Sequence, residues 1–137
     1  MKNKRRYGKY NKFDVVYADF GRNAHGVEGG IRPGIIVSCD ASNHDGAPQV
    51  SVVPLSSKLK DIPVHVIIEP QDVRGYGLRT KSDFMPEDTQ TISKGCIRGK
   101  SGVFCQVLFL EKTVRIPCFH QGIFPALDGH LIKHLCA

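Results

Sequence analysis

The stretch GGIRPGIIVSCD, residues 29–40, passes from a glycine-rich loop into a short apolar segment, residues 34–39. An apolar run of this length beside Gly and Pro is typical of a buried β-strand. Directly before it, residues 20–33 contain four glycines and no apolar periodicity. That composition predicts a long loop, of the kind that often carries function. Residues 13–19 (FDVVYAD) are rich in β-branched and aromatic side chains and predict a first strand.

The rest of the chain continues this alternation of short strands and turns. Strands are predicted in four further segments: residues 50–55 (VSVVPL), 64–69 (VHVIIE), 89–93 (TQTIS) and 103–110 (VFCQVLFL). Three other segments differ: residues 56–63 are polar and basic, residues 70–83 are loop-like, and the tail, residues 124–136, has helical apolar spacing. Many short strands between Gly and Pro turns predict a mainly β fold, a small and partly closed antiparallel barrel.

Size and composition indicate one globular domain. The chain has 137 residues, with 41% hydrophobic and 23% charged residues, values typical of an ordinary folded domain. No apolar run approaches the roughly 18 to 20 residues that span a bilayer, and the N-terminus lacks the apolar block of a signal peptide. We therefore expect a cytoplasmic protein. The five cysteines are scattered without a C-x-x-C pair, which argues against a disulfide framework and a zinc site.

A basic arm precedes the first acidic residue, Asp14. The net charge is +6, and the thirteen Lys and Arg that follow the arm equal the thirteen acidic residues. We therefore divide the chain into an arm, residues 1–12, and a single domain, residues 13–137. With Tyr7 and Tyr10 the arm could follow a phosphate backbone and stack on bases. The alternative is a solvated, mobile start that aids solubility. The arm's charges are Lys2, Lys4, Arg5, Arg6, Lys9 and Lys12.

Five segments in order resemble the MazF/PemK family of growth-inhibitor toxins. They are FDVVYAD (13–19), GGIRPGIIVSCD (29–40), VVPLSSK (52–58), IPVHV (62–66), and the later pattern of Ser82, Glu87, Thr91, Ile92, Ser93 and Lys94. No single segment is specific, but five in the family's order make coincidence a poor explanation. The resemblance implies a small SH3-like or CcdB-like antiparallel barrel with short helices, including a C-terminal one.

Several positions depart from the family pattern. Phe13 replaces the usual glycine before the first Asp-Val, Asp88 replaces a glutamine, and Ser56 stands where most members carry threonine. Past residue 100 the resemblance fades, because Pro117, Gly122 and Pro125 (whose backbones break helices) interrupt the expected C-terminal helix.

The resemblance implies a metal-independent endoribonuclease, without a cofactor, in which the ribose 2′-hydroxyl attacks the adjacent phosphorus. Arg32 would stabilise the phosphorane, since guanidinium is permanently charged and offers a planar fork of donors. Ser56 would position the scissile phosphate through its hydroxyl, which is freer to rotate than that of threonine. The alternatives are an Arg32 paired with a carboxylate such as Glu28, and a Ser56 that only forms a turn.

Other residues are expected to contact RNA or to shape the site. His25 lies in the glycine-rich loop and could act as acid or base near neutral pH, or could be only an exposed loop residue. His65 is assigned a structural hydrogen-bonding role, and Glu87 either pairs with a basic side chain or lies on the surface. The residues assigned to RNA binding are His25, Glu28, Ser57, Lys58 and Lys60.

The resemblance also implies partners. These are single-stranded mRNA, a second copy of the chain in a homodimer, and an acidic antitoxin whose partly disordered segment blocks the basic groove. Two other functions stay open: a gyrase-binding toxin of the CcdB type, and an RNA-binding member without catalysis. Trapping of gyrase on DNA would identify the gyrase-binding toxin, and binding of RNA without cleavage would identify the non-catalytic member.

Overall fold

The backbone of the computed structural model forms one eight-stranded antiparallel sheet that curls into a half-barrel. The structure describes residues 6–22, 29–75 and 77–105. The strands are β1 Asp14–Asp19, β2 Ile31–Ile36, β3 Gln49–Ser56, β4 Val66–Ile68, β5 Val73–Gly75, β6 Ser82–Phe84, β7 Gln90–Ser93 and β8 Ile97–Phe104. Single turns of 3-10 helix lie at Pro70–Asp72, Pro86–Asp88 and Lys94–Cys96.

The strand order is β4-β6-β3-β2-β1-β8-β5, and β7 also pairs with β3. β3 is the strand that changes partners: its first half pairs with β7, and its last two residues, Leu55 and Ser56, pair with Phe84 and Asp83 of β6. Its other edge pairs with β2, where Gly34 lies opposite Pro54. β3 therefore connects the main sheet to the small β4-β6 ladder.

Apolar side chains pack on both faces of the sheet. Along each central strand successive residues alternate between the faces, so Val15, Ile35 and Val53 join one buried cluster, whereas Val16 and Ile36 join another. The first cluster extends to Phe84 and Phe104 and fills the half-barrel. Near-continuous apolar strands such as VSVVPL are explained by this burial on two sides.

The mainly β, antiparallel prediction is confirmed, with corrections in the segments that carried little apolar signal. β2 begins at Ile31, three residues earlier than predicted, because its first residues pair with the end of β1. Residues 70–83 are not all loop, since they contain β5 and the start of β6. β8 begins at Ile97, earlier than predicted. These short strands gain their hydrogen bonds from distant partners, which local propensity does not report. The predicted C-terminal helix, residues 124–136, lies outside the described residues.

Phe13 adopts a left-handed backbone conformation, with φ of 73°. This conformation costs a residue with a Cβ roughly 1 to 2 kcal/mol, which explains why a glycine suits the position. The Phe13 ring is 3% exposed and packs in the core of the half-barrel, a burial that contributes about 2 to 3 kcal/mol. Burial of the ring therefore offsets the backbone strain.

Residues 6–12 of the basic arm dock on the turn at residues 39–46. The Tyr7 amide donates to the Asp45 carbonyl at 2.7 Å, and the Lys12 amide donates to Asp40 Oδ1 at 2.7 Å. The buried Lys94 ammonium joins the two segments, since it donates to the Gly8 carbonyl and to two carbonyls of the turn. This part of the arm is therefore ordered by specific contacts.

Two further observations concern the described residues only. Cys39, Cys96 and Cys105 are free thiols. Within the described part of the chain, no helix is long and apolar enough to cross a membrane.

Candidate active site

A groove of about 860 Å³ opens where β2 begins and β3 ends. Its lining comes from β1, from the start of β2, from the end of β3 with the loop after it, and from the segment before β6. Four of the described lining residues are basic and none is acidic. The lining residues are Tyr17, Ile31, Arg32, Pro33, Leu55, Ser56, Ser57, Lys58, Lys60, Leu78, Arg79, Thr80 and Ser82. A concave surface with only positive charges attracts a polyanion.

Arg32 is held in the groove by strand pairing and by its own side chain. It lies opposite Ala18 of β1, so its backbone is fixed within the sheet rather than at a loop junction as the sequence predicts. Its Nε donates to the Gly29 carbonyl at 2.8 Å. This bond orients the guanidinium plane, and Pro33 stiffens the chain directly after it.

Ser56 is the last residue of β3 and is 5% exposed. Its Oγ accepts a hydrogen bond from the Lys58 amide at 3.2 Å. The hydroxyl is therefore more restricted than the sequence predicts, and its proton is oriented away from that amide. A small buried hydroxyl beside cations suits a positioning role better than proton abstraction.

Arg32 and Ser56 both line this groove. The pairing of β2 with β3 runs from Ile36 opposite Val52 to Gly34 opposite Pro54, and Arg32 and Ser56 are each the second residue beyond that last pair. Gly34 permits the close approach of the two strands, because a Cβ there would lie 2.5 Å from Val52 Cγ1.

Three of the predicted RNA-binding residues line the same groove: Ser57, Lys58 and Lys60. All three are exposed on the loop after β3, so they can contact a ligand that enters from solvent. His25 and Glu28, which were assigned to RNA binding from the sequence, lie outside the described residues and stay predictions.

Tyr17, Arg79 and Thr80 also line the groove, although the sequence does not predict them there. Tyr17 is half-buried in β1, where alternation alone assigns it to the core. Arg79 lies in a segment without periodicity or motif, and only the pairing of β6 with β3 carries that segment to the groove. A single exposed arginine gives no sequence signal of this kind.

Beside the groove, His65 lies between two carboxylates. Its Nδ1 is 2.7 Å from Asp83 Oδ2, and its Nε2 contacts Glu87 Oε1. The His65 side chain is 2% exposed and that of Asp83 is 1% exposed. Burial lowers the pKa of His65, but hydrogen bonds to Glu87 and Asp83 outweigh it, and the pKa is raised overall. The expected hydrogen-bonding role of His65 is thus observed, and Glu87 pairs with this histidine.

The described residues contain no group of three or more His, Cys, Asp or Glu side chains arranged to hold a metal ion. Asp83, His65 and Glu87 are consecutive partners in a row, with the imidazole between the carboxylates, so their donor atoms do not converge on one point.

Fold and groove define a small, mainly β protein with a basic concave surface. The sequence profile of the PemK-like, MazF-like toxin of type II toxin-antitoxin systems matches residues 11–107. The chain belongs to this family. Comparison with curated protein sequences gave no match.

Solved structures share the fold at low sequence identity. The crystal structure of MazF from Deinococcus radiodurans aligns with a TM-score of 0.60 and 17% identity over 78% of this chain and 91% of that chain. An endoribonuclease from a mycobacterial species aligns with a TM-score of 0.56 and 17% identity, over 78% and 88% of the two chains. A mycobacterial endoribonuclease in complex with its cognate antitoxin aligns with a TM-score of 0.53 and 20% identity, over 74% and 83%.

Proposed function

We propose that this toxin is an endoribonuclease that acts in the cytoplasm and cleaves single-stranded RNA at a short sequence without a metal ion. The observation that carries the proposal is that Arg32 and Ser56 line one groove with no acidic residue in its described lining. Structural neighbours described as MazF and as endoribonucleases support the same activity.

In the proposed reaction the ribose 2′-oxygen attacks the adjacent phosphorus and loses its proton. The bond from phosphorus to the 5′-oxygen breaks, and that oxygen gains a proton. The products are a 2′,3′-cyclic phosphate and a 5′-hydroxyl. Arg32 donates to the phosphate oxygens where negative charge develops, and Ser56 holds the phosphate so that the 2′-oxygen lies in line with the leaving oxygen. Lys58, Lys60 and Arg79 bind the flanking phosphates, and Tyr17 offers a ring for base stacking.

The proposed partners follow from the same groove. An acidic antitoxin segment would compete with RNA for the four cations, in keeping with a neighbour solved with its cognate antitoxin. The homodimer, the SH3-like or CcdB-like barrel and the C-terminal helix stay proposals drawn from the family resemblance.

The decisive experiment compares a long RNA with an oligonucleotide in which the residue 5′ of the mapped cleavage site carries 2′-deoxyribose. We expect cleavage of the RNA in the presence of EDTA, a 2′,3′-cyclic phosphate at the new end, and no cleavage of the deoxy-substituted strand, which lacks the attacking group. RNA that is bound in a shift assay but stays intact would contradict catalysis. Loss of activity on chelation would contradict the metal-free mechanism.

Replacing Ser56 with alanine is expected to reduce kcat about tenfold, because the change removes one neutral hydrogen bond to the scissile phosphate. The control is Ser57→Ala, at an exposed neighbour that lines the same groove. For this variant we expect kcat to change less than twofold. Both are measured as single-turnover cleavage rates. Equal rates for the two variants would remove Ser56 from the site.

A further inference from the structure

The loop between β3 and β4 has little apolar burial to hold it in place. Every residue from 57 to 64 is exposed, and its three large apolar side chains, Leu59, Ile62 and Val64, are 50%, 42% and 38% exposed. The same loop carries the groove residues Lys58 and Lys60. Because burial supplies little of its stability, polar contacts decide where these lysines lie.

Asp83 is the point to which this loop is fastened. Its backbone lies opposite Ser56 on one side and Ile67 on the other. Its Oδ2 faces His65 Nδ1 at 2.7 Å and also receives the Lys60 amide in a long contact of 3.4 Å. Asp83 Oδ2 thus contacts the loop at two points, at Lys60 in its middle and at His65 at its end. The backbone of Asp83 pairs with Ser56.

The two carboxylates determine the protonation state of His65. An ionised carboxylate only accepts hydrogen bonds, and both ring nitrogens of His65 face carboxylate oxygens. Both nitrogens must therefore carry protons, which makes the ring an imidazolium while Asp83 and Glu87 are ionised. Asp83 Oδ1 is buried and has no hydrogen-bond partner among the residues that the structure describes, so the carboxylate depends on the imidazolium for compensation of its charge.

We propose that His65, held as an imidazolium between Asp83 and Glu87, is a positioning residue that fixes the β3–β4 loop and so places Lys58 and Lys60 along the groove. The expected effect of His65 on RNA cleavage rests on the proposed function, whereas its expected effect on the position of the loop does not. The charged groups that face the ring are Asp83 from β6 and Glu87 from the helical turn after it. Lys58, Lys60 and Asp61 are the charged side chains of the loop itself.

The direction of the pH dependence follows from the raised pKa of His65. The imidazolium contribution is complete below the unfolded pKa of about 6.5 and is lost as pH rises through the higher folded pKa. Above that pH one nitrogen loses its proton and one carboxylate loses its donor. The contacts of His65 with Asp83 and Glu87, which we call the clamp, are then weakened, and the loop is held less tightly.

The first test is independent of activity and uses trypsin, which cleaves after Lys58 and Lys60. At pH about 6.5 we expect Asp83→Asn and His65→Gln to be cut in the loop about tenfold faster than wild type, since each loses a hydrogen bond between charged groups. Asp61→Asn removes a carboxylate of the same loop outside the clamp and should be cut after Lys58, which Asp61 does not directly follow, at the wild-type rate. Nitrogen NMR of the His65 ring, assigned by its loss in His65→Gln, should show both nitrogens protonated at pH about 6.5.

The second test uses RNA cleavage. In a plot of kcat/KM against pH, we expect the wild-type value to fall as pH rises through the His65 pKa. His65→Gln should lack this descending limb of the pH profile and should have a KM raised about tenfold. A role in stability alone would lower the melting temperature without removing the limb, and would overturn the proposal. A neutral His65 ring at pH about 6.5, or wild-type trypsin rates in Asp83→Asn, would also overturn it. If the loop and ring respond as expected but the wild type never cleaves RNA, the clamp is supported and the proposed activity is refuted.

Discussion

Arg32→Ala is expected to lower kcat/KM for RNA cleavage about 10³-fold, the loss typical of removing a fixed donor to a developing negative charge. The effect is large because the guanidinium is oriented before substrate binds, through the bond from Nε to the Gly29 carbonyl at 2.8 Å. Arg32→Lys keeps the charge but loses the planar fork, so we expect it to restore little of the rate. Single-turnover cleavage of a mapped RNA site measures both variants.

The matched control for Arg32 is Arg79→Ala. Arg79 lines the same groove but is exposed, so its loss should weaken RNA binding a fewfold and leave kcat nearly unchanged. Unchanged circular dichroism would show that Arg32→Ala remains folded. Cleavage by Arg32→Ala at the wild-type rate would disprove the assignment of the active site.

Lys94→Ala is expected to lower the free energy of unfolding by about 3 kcal/mol, because it leaves three carbonyl oxygens without their donor. Lys94 is 4% exposed, and its Nζ donates to the carbonyls of Gly8, Asn43 and His44 at 2.7, 3.0 and 2.7 Å. Burial lowers the pKa of Lys94, and the Asp45 carboxylate acts in the opposite direction. The three carbonyls satisfy all three ammonium protons, which offsets the cost of burying the charge.

Urea unfolding followed by circular dichroism measures this loss. Lys81→Ala is the control: its ammonium is exposed and pairs with Glu69 at 3.5 Å, and exposed pairs contribute less than about 1 kcal/mol. Hydrogen exchange should also show faster exchange of the Tyr7 amide in Lys94→Ala, because the arm loses its link to the body. A destabilisation no greater than that of Lys81→Ala would contradict the anchoring role.

Local sequence signals located most of the central sheet. β1, β3 and β7 are apolar or β-branched runs between turn residues, and their predicted bounds differ from the observed ones by one residue at each end at most. β5 and β6 were missed because three-residue strands carry too little periodicity to separate from loop. They exist because β8 and β3 present unpaired edges to them.

The candidate site divides in the same way. Motif resemblance selected Arg32 and Ser56, since an arginine before a proline and a hydroxyl after an apolar strand are local features. It did not select Arg79 or Asp83, whose roles arise only from strand pairing. Asp83 lies opposite Ser56, twenty-seven positions away in the chain, and no local sequence pattern predicts a contact at that separation.

The sequence by itself determined the mainly β class, the family and the residues expected at the active site, because each of these is encoded in short runs of neighbouring residues. The tertiary structure alone decided which cations share the groove, that Ser56 is buried beside Asp83, that His65 is enclosed by two carboxylates, and that Phe13 can bear a left-handed backbone. All four depend on contacts between distant parts of the chain. Such contacts form only when folding brings the strands into register, so local propensity does not contain them.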